Sequence, residues 1–174
     1  MIDTGTFMLV FRLLHIGAGV AWAGSVFLFV VLIQPSAAAI GPAAGPFMME
    51  LLGRRKLVSW LLSLAGITVV AGLFIYWQDA NGTAGLADFA SSPFGRVLGF
   101  GALAAIVAFL VGLFGTRPAA RRLLQLSAQA AAGSATPEVF GEIASVQARL
   151  KTLARLSLVL IAVAVAAMAT ARYW

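Results

Sequence analysis

Four long runs of apolar residues constrain the fold of this chain more than any other feature of its sequence. They cover about residues 7–33, 57–77, 95–115 and 153–171. An α-helix needs about 20 such residues to cross the hydrocarbon core of a bilayer. A transmembrane barrel would show shorter segments of alternating polarity. The runs therefore predict an all-α fold, an integral membrane four-helix bundle, with residues 1–174 as a single transmembrane domain.

The overall composition excludes a soluble enzyme. The chain is 61% hydrophobic and 10% charged, with a mean hydropathy of +0.99, whereas soluble domains are about 45–50% apolar and about 25% charged. The formal charge of +6 could suggest nucleic acid as a partner. However, the basic residues lie in short stretches between the apolar runs, as is typical of membrane proteins. The predicted partner is the lipid bilayer rather than nucleic acid.

The distribution of basic residues predicts the orientation. Nine of the twelve lie between the first and second runs or around the stretch between the third and fourth. They are Arg54, Arg55, Lys56, Arg117, Arg121, Arg122, Arg149, Lys151 and Arg155. Basic loops face the cytoplasm, so both termini are predicted to face outward (N-out/C-out). Helical extensions of spans 3 and 4 are expected to project into the cytoplasm, separated by a break at Gly133.

The ends and contact faces of the spans are also suggested by the sequence. The first span is expected to end at Gln34-Pro35. Small residues recur at four-residue spacing in spans 1 and 4, and Gly72 lies near Thr68 in span 2. Such residues let membrane helices approach closely. The stripes predicted to be contact faces are Gly17, Ala21 and Ser25 in span 1, and Ala162, Ala166 and Thr170 in span 4.

His15 is the one histidine of the chain, and it lies inside the first span. An ionisable residue at such a position is a functional candidate by default. Arg12 precedes it by three residues and shares its face of the helix. Met8 and Trp22 lie seven residues before and after it, near the same stripe. Trp22 is too deep for an interfacial aromatic belt, so it should pack inside the bundle or face a ligand.

The outer half of the bundle is predicted to gather further polar and sulfur-bearing side chains near His15. Met168 should lie near the depth of His15, and Arg96 begins the third span at the outer face. A neutral imidazole and thioethers suit copper(I), a soft ion, with His15, Met168 and Met8 as ligands. A histidine can also serve as one axial ligand of haem b. In that case the predicted cofactor-binding residues are His15, Arg12, Trp22 and Arg96, and arginines pair with the propionates. Alternatively, His15 only bonds a neighbouring helix and the arginines snorkel to headgroups.

Catalysis by side chains alone is not expected. None of the six acidic residues falls in the middle of a span, so no proton-relay carboxylate is available. The chain has no cysteine, which excludes thiol chemistry. These features favour a non-enzymatic role. The remaining possibilities are ion or cofactor handling and a structural or accessory role in a membrane complex.

Two motifs of the first span resemble those of a known family. The sequence Leu14-His15-Ile16, followed by Ala21-Trp22-Ala23-Gly24, resembles the copper resistance D group of bacterial membrane proteins, and is most similar to an uncharacterised branch of it. The resemblance extends through Gln34-Pro35 and Tyr76-Trp77 to the ending Met168-Ala169-Thr170-Ala171-Arg172-Tyr173. It implies a multi-pass protein of the bacterial inner (cytoplasmic) membrane, and copper uptake or tolerance.

A second group shares the first-span pattern. The membrane-bound protoporphyrinogen oxidase carries haem, and the resemblance implies that His15 would be a haem ligand. The chain departs from both groups because it lacks a second histidine. Ligation by two histidines would therefore require a homodimer in which two copies of His15 meet.

Overall fold

The computed structural model of the protein describes residues 4–83, 85–134 and 136–174. Over these residues the chain is helical and contains no strand, which confirms the predicted all-α fold. Four helical stretches are long and apolar enough to cross a membrane. These stretches bury few of their own residues, because the side chains that face outward are apolar as well. Such surfaces suit contact with lipid.

The first stretch begins with α1 (Thr4–Leu28), continues through a π-helical segment (Phe29–Ile33) and runs on as α2 (Gln34–Ile40). The helix itself therefore does not end at Gln34-Pro35, where the sequence suggested the end of the span. Pro35 lies in the first turn of α2, directly after the wider π turn. A proline without an N–H donor is tolerated in a first turn, and this is how the chain continues past it.

A folded connection links the first and second spans. It consists of a 3₁₀-helix (Gly41–Ala44), α3 (Gly45–Met49) and a second π segment (Glu50–Arg54), and it leads into α4 (Leu57–Asn81). Lys56 precedes α4 in the left-handed conformation, with a φ of 52°. That residue turns the chain back, so that α4 runs antiparallel to α1.

The second half of the chain repeats this arrangement. A short α5 (Leu86–Ser91) precedes α6 (Pro93–Leu110), which passes through a third π segment (Val111–Thr116) into α7 (Arg117–Ala131).

The last long helix is α8 (Pro137–Thr170), followed by a 3₁₀ turn (Ala171–Tyr173). Its 34 residues span about 51 Å at 1.5 Å per residue. The hydrocarbon core is only about 30 Å thick, so α8 is too long to lie wholly within it.

Two antiparallel hairpins form the bundle, since α1 packs most extensively on α4 and α6 on α8. Where the hairpins meet, Trp22 and Val26 of α1 pack with Ala65, Ala105 and Ile161. We call the end of the bundle that holds His15 the His15 half; it contains the start of α1 and α6 and the end of α4 and α8. The opposite end, with the π segments and α7, is the cavity half.

The predicted small-residue contact faces are wrong for α1 and α8. A Cβ added to Gly17 would meet no atom within 4 Å, and Ala21, Ala162 and Ala166 are exposed. The buried faces of these helices lie beside the predicted stripes, since Gly19 rather than Gly17 packs on α4. The prediction for Gly72 and Thr68 of α4 is correct, because both residues contact α1.

Candidate functional site

His15 joins α1 to α4 through a hydrogen bond to the backbone. Its Nδ1 atom lies 2.8 Å from the carbonyl oxygen of Thr68. Because a carbonyl oxygen can only accept, Nδ1 must carry the proton and donate it. In the neutral imidazole, Nε2 then keeps its lone pair. Among the described residues, no hydrogen bond is made to Nε2 of His15, so its lone pair is available to a metal ion.

The imidazole ring occupies space that only a glycine leaves open. A Cβ added to Gly72 would lie 2.7 Å from Cε1 and 2.8 Å from Nδ1 of His15. These distances are shorter than real carbon contacts, so any larger residue would displace the ring. Thr68 supports the same contact, because its hydroxyl donates to the carbonyl of Leu64 at 2.8 Å and its methyl faces Gly19. The tautomer and the ring position are therefore both determined by α4.

Arg12 is already paired. Its guanidinium lies 3.7 Å from the carboxylate of Asp79 at the end of α4, and the Arg12 side chain is 58% exposed. The pair links the same two helices as the His15 hydrogen bond. The sequence placed Arg12 on the His15 face correctly, but it did not indicate Asp79 as the partner.

Met168 packs between α6 and α8. Its Cγ lies 3.4 Å from the position that a Cβ on Gly101 would take, and the Cβ of Ala167 is closer still at 3.0 Å. Its described contacts are thus with α6, whereas those of His15 are with α4. Met8 is half-buried on α1.

The relative depth of His15 and Met168 follows from a hydrogen bond that links α4 to α6. The Tyr76 hydroxyl donates to the carbonyl of Gly95 and lies beside Gly99. Gly72, beneath His15, is four residues from Tyr76, or about 6 Å along the axis. Gly101 is two residues from Gly99, or about 3 Å. The thioether therefore lies within about one helical turn of the imidazole in depth.

Arg96 and Trp22 lie apart from this group. Arg96 is exposed in the first turn of α6, directly after Gly95, which the hydroxyl of Tyr76 contacts. Trp22 is only 6% exposed and belongs to the hydrophobic core where the two hairpins meet. The expectation that Trp22 packs inside the bundle or faces a ligand is consistent with this position. Trp22 also borders the large cavity of the other half.

That cavity is a feature which the sequence analysis missed. It has a volume of about 1050 Å³ and is bounded by parts of every long helix in the cavity half. Of the six predicted site residues, only Trp22 lines it. The three π segments contribute to its wall, and a proline follows two of them, Pro35 after the first and Pro118 after the third. Helix positions that surround a void depend on how distant helices cross, which no local pattern specifies.

Charges at the far end of the cavity half are paired across α7 and α8. The guanidinium of Arg122 donates to both carboxylate oxygens of Glu142, each at 2.7 Å. The hydrogen bond from Arg122 holds the pKa of Glu142 below its usual value. At the start of α8 the hydroxyl of Thr136 lowers the pKa of Glu138 in the same way. These exposed groups do not line the cavity.

Within residues 4–83, 85–134 and 136–174, no cluster of three or more histidine, aspartate or glutamate side chains could hold a metal ion. A metal site here would need methionine sulfur beside His15, or a second chain. Comparison of the chain with protein-family models, curated proteins and solved structures gives no match. What the molecule itself defines is its class, a helical protein with four candidate membrane spans.

Proposed function

We propose that this chain is a multi-pass protein of the bacterial inner membrane, with both termini outside, that handles copper(I) through His15. The orientation is supported by the basic residues of the cavity half, which would face the cytoplasm. The α7 helix and the start of α8 would then extend into the cytoplasm. His15 would lie in the outer half of the bilayer. The resemblance of the first span to the copper resistance D group supports the same function.

The observation that carries the proposal is the hydrogen bond from Nδ1 of His15 to Thr68. Metal-binding histidines usually donate their second ring N–H to a carbonyl or carboxylate, which fixes the tautomer and makes the other nitrogen a better ligand. His15 has this arrangement before any ion binds. Thioether sulfur is a suitable partner for copper(I), and we propose Met168 and Met8 as the thioether ligands. Copper would be cargo here rather than a resident cofactor.

Haem is a weaker candidate at this position. It would need a wide, flat space beside His15, whereas the large cavity lies in the other half and is not lined by His15. Arg12, which would pair with a propionate, is engaged by Asp79.

A structural role is the alternative with direct support. The bond between His15 and Thr68 ties α1 to α4, and polar contacts of this kind hold membrane helices together. In that case the chain would serve as a subunit of a larger membrane complex, and Nε2 would have no ligand.

The substitution His15→Asn separates the two roles. The asparagine amide can place an N–H donor near the position of Nδ1, so the bond to Thr68 is kept, while the Nε2 ligand is lost. Copper(I) affinity of the purified protein would be measured by competition with a chromophoric chelator, and stability by thermal unfolding in detergent. We expect His15→Asn to lose at least about tenfold in affinity, or about 1.4 kcal/mol, with nearly unchanged stability.

Methionine variants complete the test. Met168→Leu should weaken copper(I) binding, whereas Met48→Leu, which removes a thioether in the cavity half, should not. Unchanged affinity in His15→Asn, or equal effects of the two methionine changes, would reject copper handling at His15. An absorption spectrum of the same sample decides the haem alternative, since a Soret band abolished in His15→Asn would establish haem instead.

A further inference from the structure

The cavity of the cavity half is large enough for a ligand of substantial size. Its volume of about 1050 Å³ lies at the upper end of the range of about 300–1,000 Å³ that is typical of small-molecule sites. Residues of both hairpins line it, and most of them are apolar. All three π segments contribute residues to its wall, namely Phe29, Leu52 and Gly112. Such segments are often found at functional sites.

The deep end of the cavity is apolar. It lies in the middle of the bundle, where Trp22, Val26, Ala65, Ala108 and Phe109 form its wall. Of the described residues that line this depth, Ser157 is the one polar residue, and it is itself buried. A chain of methylene groups would find no unsatisfied polar atom here, and it would gain by leaving water.

Polar groups line the cavity farther from the middle of the bundle. Gln34, Thr116 and Lys151 are at this level, about one to three helical turns from the deep end along their helices. Along the first helical stretch, Gln34 of α2 lies about 18 Å from Trp22 of α1. Among the described residues that line the cavity, Lys151 is the one charged residue and none is a carboxylate. The polar part of the cavity is therefore positively charged.

We propose that this cavity binds an anionic amphiphile, with its carboxylate or phosphate at Lys151 and its hydrocarbon tail directed toward Trp22. Lysine is well suited to such a head, because its ammonium can reach the interface while its stem lies along apolar surface. This site goes beyond copper handling and is independent of it, since His15 does not line the cavity.

Trp22 provides a direct measurement. In a variant with Trp60→Phe, Trp77→Phe and Trp174→Phe, it is the only tryptophan. A fatty acid brominated in mid-chain should then quench its fluorescence in a saturable manner. A brominated anionic phospholipid, tested in parallel, distinguishes a membrane lipid from a free fatty acid as the ligand. Quenching that only rises linearly with either probe would indicate partition into the micelle and overturn the proposal.

Charge variants test the head group. Lys151→Gln should weaken binding of the preferred probe about tenfold, whereas Lys151→Arg should retain it, and Arg149→Gln, outside the lining, should have no effect. A brominated fatty alcohol, which lacks the negative charge, should bind as weakly as the fatty acid binds to Lys151→Gln. Equal binding of acid and alcohol would reject the anionic head.

A matched pair on α8 tests the location. Ala154 lines the cavity and Ala162 faces outward. Ala154→Leu should reduce the affinity or the extent of quenching, and Ala162→Leu should not. Thermal unfolding of both variants shows whether they fold. Two folded variants with identical quenching would exclude the cavity as the site.

Discussion

The two halves of the bundle use the same four helices in different ways. In the His15 half, glycines bring the helices into close contact, Gly72 beneath the His15 ring and Gly101 against α8. In the cavity half, π segments interrupt the helices and a void of about 1050 Å³ separates them. An exposed ion pair between Arg122 and Glu142 joins α7 to α8 there. Close packing and a large internal space therefore coexist along one set of helices.

If the His15 half depends on close helix contact, enlarging Gly101 should have the largest effect on stability. A Cβ at this position would lie 3.0 Å from that of Ala167 and 3.2 Å from the carbonyl oxygen of Ala164. The backbone of α8 cannot move aside locally, so Gly101→Leu should destabilise the protein by about 1–3 kcal/mol or more. Thermal unfolding in detergent measures the loss.

The control for this substitution is Gly17→Leu, at a position where an added side chain meets no atom within 4 Å. It should leave the unfolding temperature nearly unchanged. Equal losses in the two variants would mean that tight contact is not what distinguishes the His15 half.

A smaller loss is expected for Gly72→Ala, because a side chain can move where a backbone cannot. The new methyl group would displace the His15 ring and break its bond to Thr68. We expect the free energy of unfolding to fall by about 1–2 kcal/mol. If His15 is a ligand, copper(I) binding should also weaken. Gly66→Ala in the same helix is the control, since its Cβ would make an ordinary contact of 3.9 Å with Phe109. If Gly72→Ala unfolds at the same temperature as the unchanged protein, the contact between Gly72 and the His15 ring does not contribute to stability.

The smallest effect should come from the ion pair between Arg122 and Glu142. Arg122 holds the pKa of Glu142 below its usual value. The contribution of this ion pair to the free energy of unfolding is therefore present above the pKa of an unfolded glutamate, about 4.3. It is lost as the pH falls through the lower pKa of Glu142 in the folded protein. Both groups are exposed, so the coupling should be small.

A double-mutant cycle with Arg122→Gln and Glu142→Gln, followed by thermal unfolding, measures this coupling. It should be detectable near pH 7 and should decrease as the pH falls below the usual glutamate pKa of about 4.3. A coupling that persists at low pH would show that the two helices are held together in another way.

Sequence patterns predicted the fold at the level of whole helices. The number of long apolar helices follows from composition, because a backbone in lipid must satisfy its own hydrogen bonds. Which face of a helix is buried was harder to predict. Alanine and glycine occur on every side of α1, and the choice of Gly19 over Gly17 depends on how α1 crosses α4.

The candidate site was predictable in part. One histidine in an apolar run is visible in the sequence, and so is its shared face with Arg12. The partner of His15 was not, because it is the backbone carbonyl of Thr68, and every residue has such a group. Asp79 lies 67 positions after Arg12 in the chain, and only the hairpin brings the two within 3.7 Å. The copper, haem and orientation assignments remain predictions.

The hairpin architecture also has a consequence for how the protein is made. Helices α1 and α4 are successive long helices in the chain, and so are α6 and α8 with their extensive mutual contacts. Chains generally acquire structure from the N-terminus onward during synthesis. We expect the first hairpin to assemble while the second is still being translated. The last step of biogenesis would then be the docking of two preformed hairpins around Trp22.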